Sequence, residues 1–148
     1  MALARERDTH RGNLSKGTYP VAANVTIYKG ALVVLNASGH AIPGNTIANG
    51  ARTAVGMASH TIAGGSVAGV NMVEVEFGVF GWSNSAAGDE ITQAHVGHVV
   101  YVVDDFNVAR TSGTGARIGA GVCTEVRDGI PFVDMSPTIS AAAEGEET

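Results

Sequence analysis

The stretch Ile91–Arg110, ITQAHVGHVVYVVDDFNVAR, decides the fold class. Val99 to Val103 is an unbroken β-branched and aromatic run, the composition of a buried strand. It stops at Asp104-Asp105, a polar turn, and Asn107 to Arg110 resumes as a second strand. Upstream, Thr92 can cap one short helical turn over Ile91–Val96, which Gly97 can end. No nucleophile, metal cage or phosphate loop is written into this stretch.

The same grammar extends in both directions. Downstream, Ala116–Val126 (ARIGAGVCTEV) and Ile130–Met135 (IPFVDM) are joined at Arg127-Asp128-Gly129, and Asp-Gly is the strongest local hairpin signal in the chain. Upstream, MVEVEFGVFGW (Met72–Trp82) alternates: Val73, Val75 and Phe77 take one face, and Glu74 and Glu76 the other. That is a strand with one buried and one wet side. Gly78 and Gly81 bracket Val79-Phe80 and predict a bend.

Further back, Val25–Tyr28 meets a turn at Lys29-Gly30. Ala31–Leu35 closes at Asn36 and Ser38-Gly39, a hairpin connection to His40–Ile42, and Pro43-Gly44-Asn45 breaks the chain again. Thr53–Ser59 carries Gly56 inside an apolar run, the mark of a bulge. Segments recurring about every 8 to 12 residues predict an all-β body, a compact antiparallel β-barrel or β-sandwich. The body is placed at residues 21–137, after an extended N-terminal arm (1–20) and before an acidic tail (138–148) read as disordered.

Composition sets bounds on function. A chain of 148 residues is long enough to bury about 68–70% of its unfolded surface as one domain. Its single cysteine, Cys123, excludes an intrachain disulfide and fits assembly in a reducing cytoplasm. The opening MALARERDTHRG lacks a signal-peptide core, and no apolar run nears the ~20 residues of a membrane helix. A net charge of −5 weighs against nucleic acid as a partner, since phosphate binding needs a cationic face. Basic residues nevertheless crowd the arm, as Arg5, Arg7, Arg11 and Lys16, while Glu144, Glu146 and Glu147 end the tail.

Each candidate for chemistry has a plainer reading. His95 and His98 are spaced for one face of a helical turn, as a metal pair requires, yet no third ligand stands near in sequence. Glu74 and Glu76 read as the solvated face of a strand rather than as an acid–base pair. Asp104-Asp105 lacks the spacing of a calcium loop and reads as an Asx turn. Gly64-Gly65 and Gly113–Gly121 lack the lysine and the helix of a phosphate loop. Trp82 is assigned to the core or an interface. The expectation is a protein with no catalytic residue, no cofactor and no metal.

The segment Gly88–Met135 resembles the C-terminal half of the head decoration, or structural cement, proteins of tailed bacteriophages. The shared phrases are "IT…VG…VYVVDD…VA", a glycine-rich loop and "GAGVCTEV…G…FVDM". VTIYKGALVVLNASGHAIP (Val25–Pro43) is similar to the opening of such proteins. The resemblance spans most of Val25–Met135 and excludes the arm and the tail. It implies a β-tulip-like module on the outer surface of a phage head, made in the host bacterial cytoplasm. Its partners would be the major capsid protein and sister subunits, with a homotrimer favoured and neither nucleic acid nor membrane involved. Arg5, Arg7, Arg11 and Lys16 would then clamp acidic capsid surface. The competing readings are a carbohydrate-binding β-module and another virion part, a tail-tube or head-tail joining protein. With eight Phe, Trp and Tyr residues, the chain is poor in the aromatics that a sugar groove uses.

Overall fold

The computed structural model describes residues 4–6, 15–44 and 51–139, with the backbone alone for residues 51 and 52. The strands are β1 Lys16–Pro20, β2 Thr26–Ile27, β3 Leu32–Asn36, β4 Ala41–Pro43, β5 Ala51–Ala58, β6 Ile62–Ala63, β7 Met72–Glu76, β8 Gly78–Gly81, β9 Ser83–Asn84, β10 Val99–Val102, β11 Asn107–Ala109, β12 Gly119–Arg127 and β13 Ile130–Met135. Two 3₁₀ turns, Ala87–Asp89 and Gln93–His95, are the helical elements between β9 and β10. The all-β expectation holds: a five-stranded sheet runs β1-β7-β5-β3-β4, a six-stranded sheet β8-β13-β12-β10-β11-β9, and β2-β6 form a small ribbon. Pairing is antiparallel throughout except between β9 and β11.

Lys16–Pro20, read from the sequence as part of the arm, is a correction. These residues pair along β7, from Lys16 opposite Glu76 to Pro20 opposite Met72, and so belong to the body. Alternation was undetectable here because Gly17, Thr18 and Pro20 give a two-residue period nothing apolar to mark. The cross-strand register, with Tyr19 packed against the core, supplies the strand.

The two large sheets are one unit built twice. In the first, Val33 opposes Gly56 and Val34 opposes Ala54, so Val55 is an extra residue. In the second, Val100 opposes Gly121 and Tyr101 opposes Gly119, so Ala120 is the extra one. Each bulge needs glycine because the next strand's backbone presses on it: a Cβ would lie 2.2 Å from Glu76 O at Gly56 and 2.2 Å from Asp134 O at Gly121. The flanking bonds also match. Gly30 N–H donates to Ala58 O, and Ala58 N–H to Ala31 O, just as Gly97 N–H donates to Cys123 O and Cys123 N–H to His98 O.

The turns repeat as well. Gly30 and Gly97 share a left-handed backbone, φ +87° and +89°. Asn36 Oδ1 accepts from the amides of Ser38 and His40; Asp104 Oδ1 accepts from those of Phe106 and Asn107. Ahead of each sheet, the chain leaves an edge strand and joins the opposite edge in parallel, through Val21–Ala41 in the first half and Asn84–Val108 in the second. The sequence trace of all this is slight: ARTAVGMAS (Ala51–Ser59) against ARIGAGVCT (Ala116–Thr124).

The halves stack in layers. Val33, Ala41, Val55, Ala58 and Val75 of the first sheet face Ile27 of the ribbon, with Tyr19, Ile62 and Phe77 around them. The matching face of the second sheet, with Val100, Val108, Ala120, Cys123 and Val133, packs on the far side of the first, against Leu32, Val34, Ile42 and Ala54. Strand β3 is therefore buried on both sides, and burial of each such aliphatic side chain is worth about 1.5–3 kcal/mol. Leu32 N–H crosses between the layers to Asp105 O at 2.8 Å. At β12–β13 the predicted Asp-Gly hairpin forms, with Asp128 and Gly129 both at positive φ (55° and 78°), the demand of a type I′ turn.

Candidate interaction surface

The residues singled out for chemistry are engaged in structure. His95 sits in the 3₁₀ turn that Thr92 opens; its Nδ1 accepts the Thr92 amide at 2.9 Å, which places the proton of the neutral ring on Nε2. Partial burial, with Arg110 and His98 nearby, holds its pKa below the ordinary imidazole value. Among the described residues, no three His, Cys, Asp or Glu side chains are grouped to hold a metal. Asp104 makes the expected Asx turn and also accepts from the Asn107 side chain at 2.9 Å. Cys123 is buried, and desolvation pushes its thiol up. Trp82 lies in the core, edge-on to Phe80, and its Nε1 donates to Met135 Sδ at 3.3 Å.

Glu74 and Glu76 do lie on one strand face, where they meet Lys16 and Ser59. Lys16 Nζ is 2.9 Å from a Glu74 oxygen, and Ser59 Oγ donates to Glu76 at 3.2 Å. This pairing raises the Lys16 pKa. Of the four basic residues assigned to a clamp, Lys16 is thus committed to β7 and Arg5 is exposed. Arg7 and Arg11 lie outside the described residues.

What the sequence did not single out is an apolar surface. Tyr28, Phe106 and Val79 are 63%, 56% and 51% exposed. Phe106 and Gly30 line the open groove formed with Met57, Phe80, Trp82 and Ser83, and they also line a second hollow with Tyr28. No residue lining the larger groove is charged. The turns explain the exposure: Tyr28 precedes the Lys29-Gly30 reversal, and Phe106 tips the Asx turn. An aromatic residue inside a polar turn was the available signal. A contiguous exposed apolar patch marks an interaction site.

This groove also runs along β8, at the end of the second sheet. Phe77 N–H donates to Ser15 O, joining β1, and Ser83 N–H donates to Phe106 O, ahead of β11. Between them, among the described residues, β8 pairs with β13. Its other edge, at Val79 and Gly81, is the one fronting the groove.

Against family models, curated proteins and solved structures alike, the chain has no match.

Proposed function

We propose that the chain is a virion structural protein, a decoration or cement protein that binds the outer surface of a tailed-phage head and transforms no molecule. The observation that carries this reading is the groove of Val79 and Phe106, whose lining is uncharged, with Tyr28 exposed in the adjoining hollow, on a body whose polar clusters are engaged in turns and edge pairs. The resemblance of Val25–Pro43 and Gly88–Met135 to head decoration proteins supports it, since those segments contain β3 and β4 of the first half and the bulged pair β10–β12 of the second. The finer reading of each half as a small tulip-like barrel is supported by the chain joining opposite sheet edges at Val21–Ala41 and Asn84–Val108. A trimer on the major capsid protein follows from the resemblance.

Arg5, Arg7 and Arg11 add charge contacts in this reading, but exposed ion pairs are each worth ~0–1 kcal/mol. Apolar burial must supply the holding force, multiplied over the copies in an oligomer. The test is co-sedimentation with purified phage heads stripped of decoration, followed by electron microscopy of the shell. The native protein is expected to occupy repeated sites on the shell, and V79K/F106K to lose at least about tenfold in affinity, roughly 1.4 kcal/mol. Equal binding of native protein and variant would reject this surface. Binding to glycans, or to a ring at the tail, in place of the shell would reject the decoration role.

A further inference from the structure

On the way from β9 to β10 the chain makes the 3₁₀ turn Gln93–His95, and one imidazole closes it. His95 N–H donates to Thr92 O at 2.9 Å, and the side chain then reaches back. Its Nδ1 accepts the Thr92 amide at 2.9 Å and lies 3.2 Å from Thr92 Oγ1. This is a reciprocal capping box, in which the position taken by His95 ordinarily carries Glu or Gln. A Gln side chain offers its acceptor at every pH. Imidazole offers one at Nδ1 only while it is neutral.

The turn is also a fastening. Val96 packs against the core between the two sheets. Gly97 N–H donates to Cys123 O at 2.7 Å and Cys123 N–H to His98 O at 3.0 Å, tying the entry of β10 to β12. At the other end Ile91 is buried, and the Asn84 side chain holds both its backbone groups, at 2.8 and 2.9 Å. Both ends are anchored, and the segment between them depends on the cap.

We propose that His95 is a proton-operated latch: neutral, it closes the turn over Thr92–Val96; protonated, it lets the turn open and uncovers Val96. A proton taken from water binds Nδ1, so the imidazolium donates from both nitrogens. Its Nδ1–H has Thr92 Oγ1 to donate to, while the Thr92 amide loses its acceptor. The surroundings favour the neutral ring. Partial burial disfavours the charge, and Arg110 and His98 repel it. Arg110 is fixed there by two bonds to Gly88 O, at 3.1 and 2.8 Å. The nearby acids are engaged elsewhere or exposed: Asp89 of the preceding 3₁₀ turn holds Thr111 and Arg117, and Glu90 faces solvent. On β12, which packs against the turn, Glu125 pairs with Arg127 and Cys123 is a buried thiol. The closed turn is therefore favoured at neutral pH and lost as pH falls through the folded value, which lies below that of an ordinary imidazole. The latch does not depend on the phage-head reading.

Ring titration and amide exchange, followed by NMR on the full chain, test it. As His95 protonates, protection at the His95, Gly97 and His98 amides, measured against the intrinsic rate at each pH, is expected to fall at least about threefold, the scale of one net hydrogen bond. Val75 in the first half is expected to be unaffected. His95→Gln keeps an acceptor in the capping box and binds no proton, so it is expected to hold the turn closed and abolish the step. His98→Gln removes one repelling charge and is expected to keep the step while moving its midpoint upward. A step of the same size in His95→Gln would overturn the proposal. So would undiminished protection in the native chain once His95 is protonated, a result that needs no variant.

Discussion

The two halves share a frame and differ at the edge. Glu74 and Phe132 occupy equivalent places, as do Lys16 and Val79, which oppose Glu76 and Asp134. In the first half this position is an ion pair at 2.9 Å. In the second it is apolar: Val79 is half exposed, and Phe132 carries the Arg127 guanidinium 4.4 Å above its ring. Bulges, turns and core are repeated, so they answer to folding. The edges have diverged, so they answer to what each side meets. A charged edge discourages strand pairing and an apolar one invites it.

The sharpest way to break the comparison is at the glycines. Gly56→Ala and Gly121→Ala each drive a methyl group into a neighbouring carbonyl oxygen, 2.2 Å away in both cases. Neither sheet can retreat, because both are packed in the layered core. Each substitution is expected to cost at least about 4 kcal/mol, the range reserved for core disruption. Denaturant unfolding would measure it, and near-equal losses are the signature of one unit used twice. A loss below about 1 kcal/mol at either site would mean that its bulge is not required by the frame.

The first-order grammar of the fold was readable from side chains. The β12–β13 hairpin, the bulge at Gly56, the alternation of β7 and the turn opened by Thr92 each rest on local chemistry, and each is present; Met72–Trp82, read as one bent strand, is instead divided between β7 and β8 in different sheets. The repeat was not readable, because its determinants are backbone ones. Gly30 and Gly97, or Gly56 and Gly121, match through φ angles and close approaches, while the residues between them vary freely within an apolar class. β1 was hidden for the same reason, and the β2–β6 ribbon because two-residue strands carry no period. The candidate surface was hidden differently: Tyr28, Val79 and Phe106 looked like strand and turn residues, and only the tertiary arrangement leaves them outside.

Protons should separate the halves as well. Asp89 receives the Thr111 hydroxyl at 2.6 Å and the Arg117 guanidinium at 3.3 Å, and these contacts hold its carboxyl below the usual range. A lowered carboxylate pKa contributes stability that is present above the unfolded value and lost as pH falls through the folded one. His95, also lowered, contributes in the same sense: its share is present above the unfolded imidazole value and lost on acidification. Asp105 opposes them, since burial and Asp104 raise its pKa, so acid relieves it. Lys16 in the first half is raised by Glu74, and its share is lost only as pH rises through that folded value. As pH falls below the ordinary carboxylate range, the 3₁₀ turns and the Thr111–Arg117 loop are therefore expected to lose amide protection, measured against the intrinsic exchange rate at each pH, before β1 and β7 do. Asp89→Asn should flatten that acid dependence; an unaltered pH profile in this variant would remove Asp89 from the account.

The smallest effect on stability should carry the largest effect on association. K16V/E74F gives the first half the apolar edge of the second. Both positions are well exposed, with side chains 52% and 37% accessible, and exposed ion pairs contribute ~0–1 kcal/mol. Unfolding free energy should therefore move by no more than about 1 kcal/mol. What changes is the edge: a strand that was charged toward solvent now presents Val and Phe in the register of Val79 and Phe132. If charge at this position is what keeps the first half from pairing, the variant forms larger assemblies than the native protein at equal concentration, read by sedimentation velocity. Identical sedimentation at unchanged stability would show that the Lys16–Glu74 pair guards nothing, and that the difference between the halves has to be sought in the turns bearing Tyr28 and Phe106.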